Sequence, residues 1–156
     1  MKKFIFFILF QTLLFSKVNL KFGIKSSIVY ENGEAYPLIG ISLGYYPFSY
    51  FFIEGNGEYI MKSSYKEFAF PLTFNFIYKR KYFSPYIGLG LAYHFYSYDS
   101  YSDNSLGYRF KGGTSFFDKS GATIYFEAIY DVPDFSKGRG RWQFTGRIDK
   151  DFNFEF

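Results

Sequence analysis

The segment FAFPLTFNF, residues 68–76, places a bulky apolar side chain at every second position, with small or polar residues between them. A spacing of two is that of a β-strand, in which successive side chains point to opposite faces of the sheet. Pro71 lacks an amide proton and would remove one hydrogen bond from the ladder, which predicts a local β-bulge there. The segment therefore predicts a strand with one bulky apolar face and one small, polar face.

The same alternation recurs from Leu20 to the end of the chain and divides it into eight predicted strands. It is clear near residues 20–30, 39–45, 68–78, 87–95, 123–131 and 141–156, and weaker over about 51–61 and 105–117. We expect longer polar links at 31–37, 62–67, 98–104 and 132–140, and short links at 47–50, 79–84 and 118–121. This order of elements predicts an all-β, eight-stranded, antiparallel up-and-down barrel in a single domain.

The composition supports an all-β chain and excludes several other classes. Phe contributes 24 of the 156 residues, Tyr 17 and Trp 1, and a disordered chain would be poor in these residues. There is no Cys and a single His, so neither a Cys/His metal site nor a lipidated cysteine is expected. The net charge of +4 comes from scattered residues of both signs, which argues against a nucleic-acid partner. No phosphate, calcium or nucleotide motif is present, so we expect no cofactor.

The first sixteen residues predict export from the cytoplasm. Met1-Lys2-Lys3 is a positive start, and Phe4–Phe15 follows as a charge-free apolar core. This core is shorter than the roughly 20 residues that a spanning helix needs. We therefore expect residues 1–16, ending at the small residue Ser16, to be a signal peptide and residues 17–156 to form the barrel.

The direction of the apolar face decides between a soluble and a membrane barrel. A soluble barrel points this face inward, whereas an outer-membrane barrel turns it to lipid. The polar face is rich in Gly, Ser, Ala and Thr, which fit a narrow interior, and tyrosines lie near strand ends, as in interfacial girdles. The sequence therefore predicts a transmembrane barrel, with a secreted lipid-binding barrel as the alternative. The girdle tyrosines are Tyr30, Tyr45, Tyr59, Tyr78, Tyr93 and Tyr130.

Two motifs carry a resemblance to a known family. The run SPYIGLGLAY, residues 84–93, and the ending FNFEF, residues 152–156, resemble the small eight-stranded outer-membrane β-barrel family that includes the OmpA transmembrane domain and OmpX. The resemblance implies that Phe152, Phe154 and Phe156 form a C-terminal assembly signal for the outer-membrane barrel assembly machinery. It also implies that both termini are periplasmic, and we expect a monomer in contact with outer-membrane lipid.

The polar face also carries charged residues, which predicts an ion-pair network across the interior. Eight strands enclose a space just wide enough for side chains, and a charge buried there without a partner is costly. One register of strands six and seven would set Lys111 opposite Glu127, and a register shifted by two residues would set Arg109 opposite Asp131. The residues predicted to form the network are Lys21, Lys25, Glu54, Glu58, Arg109, Lys111, Glu127, Asp131, Arg141, Arg147, Asp149 and Asp151.

The pattern favours a structural or surface-interaction role around a plugged interior, with a narrow channel for small solutes as the alternative. An enzyme acting on lipid A, as some small barrels do, would need a His–Ser pair two residues apart on the lipid-facing side. Here Ser97 lies three residues after His94, which is predicted to face the interior. We therefore expect no enzyme, with no catalytic, metal or cofactor residues.

Two predicted outer links suggest surface recognition. The segment Tyr96–Asn104 interleaves Tyr with Ser and Asp, a composition suited to polar recognition. The segment 133–141 is basic and could engage the phosphates of lipopolysaccharide. Alternatively, both links simply keep the outer rim hydrated.

Overall fold

The computed structural model describes residues 18–117 and 121–154, which form a closed barrel of eight antiparallel strands. Each strand pairs with its neighbours in sequence, and β1 pairs with β8 to close the barrel. The predicted all-β, up-and-down fold is confirmed, whereas the predicted signal peptide lies outside the described residues. The strands are β1 (Val18–Glu31), β2 (Glu34–Phe48), β3 (Phe51–Met61), β4 (Lys66–Ile77), β5 (Ser84–Ser97), β6 (Ser102–Phe117), β7 (Ala122–Val132) and β8 (Arg141–Phe154).

Side chains alternate between the outer wall and the interior in the predicted phase. The neighbours Ile24 and Lys25 of β1 are 65% and 4% exposed, respectively. In β4, Phe70 and Phe74 point outward while Thr73 is buried. The wall is therefore apolar and the interior polar, the arrangement of a membrane barrel and the reverse of a secreted lipid-binding barrel. No helix among the described residues is long and apolar enough to span a membrane.

The link expected at 31–37 is instead a two-residue turn. β1 continues to Glu31 and β2 starts at Glu34, while Asn32 and Gly33 have φ angles of 53° and 85°. Two successive positive φ angles are those of a type I′ turn, which Asn-Gly favours because its twist matches that of the paired strands. The Asn-Gly pair indicates this turn in the sequence, and the prediction of a longer polar link is wrong.

The connections define two ends of the barrel. The loop end consists of the turn 32–33 and the links 62–65, 98–101 and 133–140. The terminal end consists of the start of β1, the end of β8, and the links 49–50 and 78–83 together with the β6–β7 connection.

The bulge predicted at Pro71 is absent. The pairing of β4 with β5 is regular along the whole of β4, and its pairing with β3 keeps one register on both sides of Pro71. The missing amide coincides with a break in the β3–β4 ladder between Gly55 and Glu58, so the strand loses a contact without inserting a residue. A register shift occurs instead around Pro47, between Tyr45 and Phe48.

Two apolar clusters of buried residues close parts of the interior. The terminal cluster lies at the terminal end, and the loop cluster lies beside β1, β2 and β3 at the loop end. Charged side chains fill the rest of the interior, and at the loop end they reach the level of the loop cluster, because Glu67 lies opposite Ile60. The terminal cluster consists of Tyr46, Phe52, Ile77, Tyr86 and Tyr125, and the loop cluster of Val29, Leu38 and Ile60.

The Asn-Gly turn predicts a stability effect that depends only on backbone conformation. A Cβ added at Gly33 would meet no atom within 4 Å, so Gly33→Ala costs only the strain of the left-handed φ, about 1 kcal/mol of unfolding free energy. A Cβ at Gly55 would also meet nothing within 4 Å, but Gly55 lies within strand β3 and has no positive φ. Gly55→Ala is therefore the matched control and should be neutral or slightly stabilising.

Urea unfolding of the refolded variants, followed by the fluorescence of the single tryptophan, Trp142, measures both changes. Equal stability of the two variants would contradict the assignment of the turn.

Candidate functional site

The interior outside the two apolar clusters is filled by charged side chains in mutual contact. Every residue predicted for the network points inward: Asp151, near the terminal end, is part-exposed, and the others are buried. Most of the contacts fall into two groups, and the pair of Lys21 with Asp151 lies apart from both. The loop-side network consists of Lys25, Glu58, Glu67, His94, Arg109, Asp131 and Arg141, and the terminal-side network of Glu54, Lys111, Glu127, Arg147 and Asp149.

Two arginines and three carboxylates form the centre of the loop-side network. Arg141 donates to both carboxylate oxygens of Glu67, at 2.7 and 2.6 Å, and to Asp131 at 2.9 Å. Arg109 donates to both oxygens of Glu58, at 2.7 and 2.9 Å, and to the other oxygen of Asp131 at 3.2 Å. The planar guanidinium fork matches a carboxylate in this two-bond geometry. Asp131 therefore joins two bidentate pairs that cross the barrel to β3 and β4.

The terminal-side network is built on two glutamates that share two cations. Lys111 donates to Glu54 at 2.8 Å and lies 3.5 Å from Glu127. Arg147 donates to Glu54 and lies 3.3 Å from Glu127. Glu127 also accepts a hydrogen bond from the hydroxyl of Tyr86, a member of the terminal cluster.

Arg147 connects this network to the terminal cluster. Its guanidinium carbon lies 3.9 Å from the centre of the Tyr125 ring, and its Nε lies 3.0 Å from Asp149. The Tyr125 hydroxyl is 2.8 Å from the Tyr46 hydroxyl, and Ser42 donates to Asp149 at 3.1 Å. The ion pairs and the apolar plug are thus packed as one body.

The structure distinguishes between the two registers considered for strands six and seven. Arg109 lies opposite Asp131, and Lys111 lies opposite Ile129 rather than Glu127. Lys111 still approaches Glu127 on the diagonal. Both registers keep the same faces inward, so the alternation alone could not distinguish them.

Glu67 is a member of the loop-side network that the sequence prediction missed. It accepts both Arg141 bonds, lies 2.9 Å from Nδ1 of His94, and lies 3.2 Å from Nζ of Lys62. Glu67 was assigned to the predicted link at 62–67 and not to a strand. Its inward position could have been inferred, because it lies two residues before Ala69 on the same face. Lys62 lies in the β3–β4 link, where no periodic signal could have identified it.

His94 faces the interior as predicted. Its ring is fully buried, its Nδ1 contacts Glu67, and its Nε2 lies 3.7 Å from Asp131.

At the terminal end, Lys21 lies 3.0 Å from Asp151 and donates to Thr123 at 2.8 Å. Of the predicted assembly signal, Phe152 points outward and Phe154 is the last residue of β8. Phe156 lies outside the described residues.

Removing one arginine from the loop-side network should destabilise the barrel strongly. Arg109→Met leaves Glu58 and Asp131 without one of their cations in a buried site, which should lower the unfolding free energy by about 3–5 kcal/mol. Lys66→Met, at an exposed position of β4, is the matched control and should change stability little. Urea unfolding of both variants, refolded in lipid vesicles, measures the two changes in stability. Equal effects would show that the buried pairs do not contribute.

Comparisons with known proteins support the fold. No protein-family model and no curated protein matches the chain. The crystal structure of Neisserial surface protein A matches with a TM-score of 0.71 and 14% identity over 86% of this chain and 97% of that chain. The crystal structure of the N-terminal β-barrel domain of Pseudomonas aeruginosa OprF matches with a TM-score of 0.68 and 14% identity over 85% of this chain and 97% of that chain.

Two further structures share the architecture. Ail, the attachment invasion locus protein of Yersinia pestis, matches with a TM-score of 0.59 and 14% identity over 87% of this chain and 98% of that chain. The outer membrane enzyme PagL matches with a TM-score of 0.53 and 12% identity over 82% of this chain and 98% of that chain. The chain has the fold of the small eight-stranded outer-membrane β-barrels, as the sequence resemblance implied.

Proposed function

We propose that this protein is an integral outer-membrane barrel with a structural or surface-interaction role, both termini in the periplasm and a plugged interior. The observation that carries the proposal is an apolar outer wall around an ion-paired core. A wall with such large exposed apolar area is unfavourable in water and favourable in lipid. The shared fold of known outer-membrane barrels supports this location.

Aromatic residues near both ends of the wall support a membrane-spanning position. Tyr30 and Trp142 are half exposed at the loop end, and Tyr50, Tyr78 and Tyr82 are more exposed at the terminal end. Such rings favour the boundary between hydrocarbon and headgroups. The two belts therefore match the two interfaces of a bilayer.

The packed interior supports a structural core rather than a passage. A solute would have to separate the bidentate pairs of Arg109 and Arg141 and then displace the terminal cluster. Charge-assisted bonds of this kind are among the strongest in proteins. We therefore propose a barrel that does not conduct.

The position of His94 supports a non-enzymatic role. A serine nucleophile needs a histidine within hydrogen-bonding distance. Among the described residues, the ring nitrogens of His94 contact Glu67, Asp131 and Arg141, and no serine. PagL shares the fold and is named an enzyme, so the fold alone does not decide the question, and the proposal rests on this sealed environment.

The loop end offers a polar aromatic surface for a partner. A cavity of about 200 Å³ there is lined by Tyr65, Tyr96 and Tyr98 together with charged residues of the links. Tyr65 packs on Tyr98 with ring centres 4.9 Å apart, and Tyr98 stacks on Tyr101 at 4.4 Å. Rigid tyrosines beside polar groups suit recognition of a hydrated surface.

The basic β7–β8 link borders the same cavity. Lys137 and Arg139 line it, and Lys137 lies 3.2 Å from Asp134. Hydrogen bonds from the hydroxyl and amide of Ser136 lower the pKa of Asp134 to about 2, so this carboxylate stays ionised to a lower pH than an ordinary aspartate. We propose that the link contacts the phosphates of lipopolysaccharide.

We further propose that the barrel is a monomer inserted by the barrel assembly machinery.

A gel and a bilayer test the proposed architecture and the absence of conduction. The refolded mature protein should migrate differently in SDS before and after boiling, because a closed membrane barrel resists the detergent. It should then give no current steps in a planar bilayer at high protein load. Discrete steps would establish the channel alternative, and solubility in plain buffer without a heat shift would contradict the membrane location.

Lipid A analysis tests the non-enzymatic role. Expression of the protein in a bacterium with an outer membrane should leave the mass spectrum of lipid A unchanged. His94→Ala, checked for folding by the heat shift, should give the same spectrum. A mass change that appears with the wild-type protein and disappears with His94→Ala would contradict the proposal.

A further inference from the structure

The outer wall at the terminal end carries an apolar groove beside a basic link. The link 78–83 reads YKRKYF, with three successive cations between aromatic residues. The groove has a volume of about 430 Å³ and opens on the outside of β4 and β5. Its exposed walls are Tyr50, Phe76, Tyr78 and Ile87, and the half-buried Pro85 also lines it.

Arg80 sits at the rim of this groove. Its guanidinium carbon lies 5.0 Å from the centre of the Tyr78 ring, which itself lines the groove. The backbone of the link is held in place, because the amide of Arg80 donates to the Ser84 hydroxyl at 3.3 Å and the amide of Tyr78 donates to the Pro85 carbonyl at 2.8 Å. The link that carries the cation is therefore anchored beside the groove.

The positive charge of the link is not neutralised by any carboxylate among the described residues. No Asp or Glu occurs in the sequence between Glu67 and Asp99. Within residues 18–117 and 121–154, no ion pair joins Lys79, Arg80 or Lys81 to a carboxylate. The cations of the interior, in contrast, are paired. The link thus presents three positive charges where the wall meets the bilayer surface.

We propose that the groove and its basic rim bind an anionic glycerophospholipid. An acyl chain lies along Phe76 and Ile87, and the phosphate lies against Arg80, flanked by Lys79 and Lys81. The inference rests on the proposed function, because it requires the terminal end to lie in a phospholipid leaflet. A zwitterionic phospholipid fills the groove equally well but gains less from the rim, so the site selects net negative charge.

Lipid retention by the intact barrel tests the rim. The wild-type protein, the variant K79Q/R80Q/K81Q and the control K66Q are refolded into vesicles of equal phosphatidylglycerol and phosphatidylethanolamine. The control removes an exposed positive charge at the opposite end, outside the link 133–140. Native mass spectrometry after detergent extraction then counts the bound lipids of each class.

We expect the wild type and the control to retain phosphatidylglycerol preferentially. The rim variant should lose that preference by about tenfold or more, since each basic residue near an anionic surface contributes a factor of about five. An undiminished preference in the rim variant would overturn the proposal.

A second variant tests the groove separately. Tyr50→Ala removes one wall and leaves the three cations in place, so it should lower the retention of both lipids several-fold without changing their ratio. Unchanged total retention would overturn the acyl-chain part of the site.

The heat shift of each protein separates this inference from the proposed function. A folded, heat-shifting barrel without lipid preference contradicts the site alone, whereas a chain that stays in buffer without a shift contradicts the membrane barrel itself.

Discussion

The charges inside this barrel have to be paired with one another, because eight strands leave room for side chains and little else. Asp131 illustrates the constraint, since it lies between Arg109 and Arg141 and each arginine also holds a glutamate from the far side. The bonds from the two arginines to Glu58 and Glu67 connect strands that are not neighbours in the sheet. An apolar wall in lipid has no hydrophobic driving force to pack against another protein surface. The closed shape therefore depends on the cross-barrel bonds and on the backbone ladder.

Glycine on the inner face makes room for these long side chains. A Cβ at Gly88 would lie 2.0 Å from Oδ1 of Asn75 and 3.2 Å from Cγ of Lys111, and a Cβ at Gly23 would lie 1.8 Å from Oδ1 of Asp149. The inner surface therefore combines long polar side chains with positions that have no side chain. This combination lets a chain rich in glycine enclose a filled core.

The strands and their faces could be predicted because each follows from local spacing alone. The phase that exposes Ile24 and buries Lys25 was visible in the sequence, and so was the inward position of His94. The pairing of Arg109 with Asp131 could not be predicted, because the stagger of a closed barrel sets the register and both candidate registers keep the same faces. Glu67 was missed for a different reason. The predicted link at 62–67 included the first two residues of β4, which begins at Lys66.

Strand β8 closes the barrel against β1. It supplies Arg141 and Arg147, the guanidinium partners of carboxylates on β3, β4 and β7. A sheet that lacks β8 therefore leaves Glu54 and Glu67 without these arginines, although Lys111 still reaches Glu54 and Lys62 still reaches Glu67. The strand that closes the wall against β1 is thus also the strand that completes the charge balance of the core.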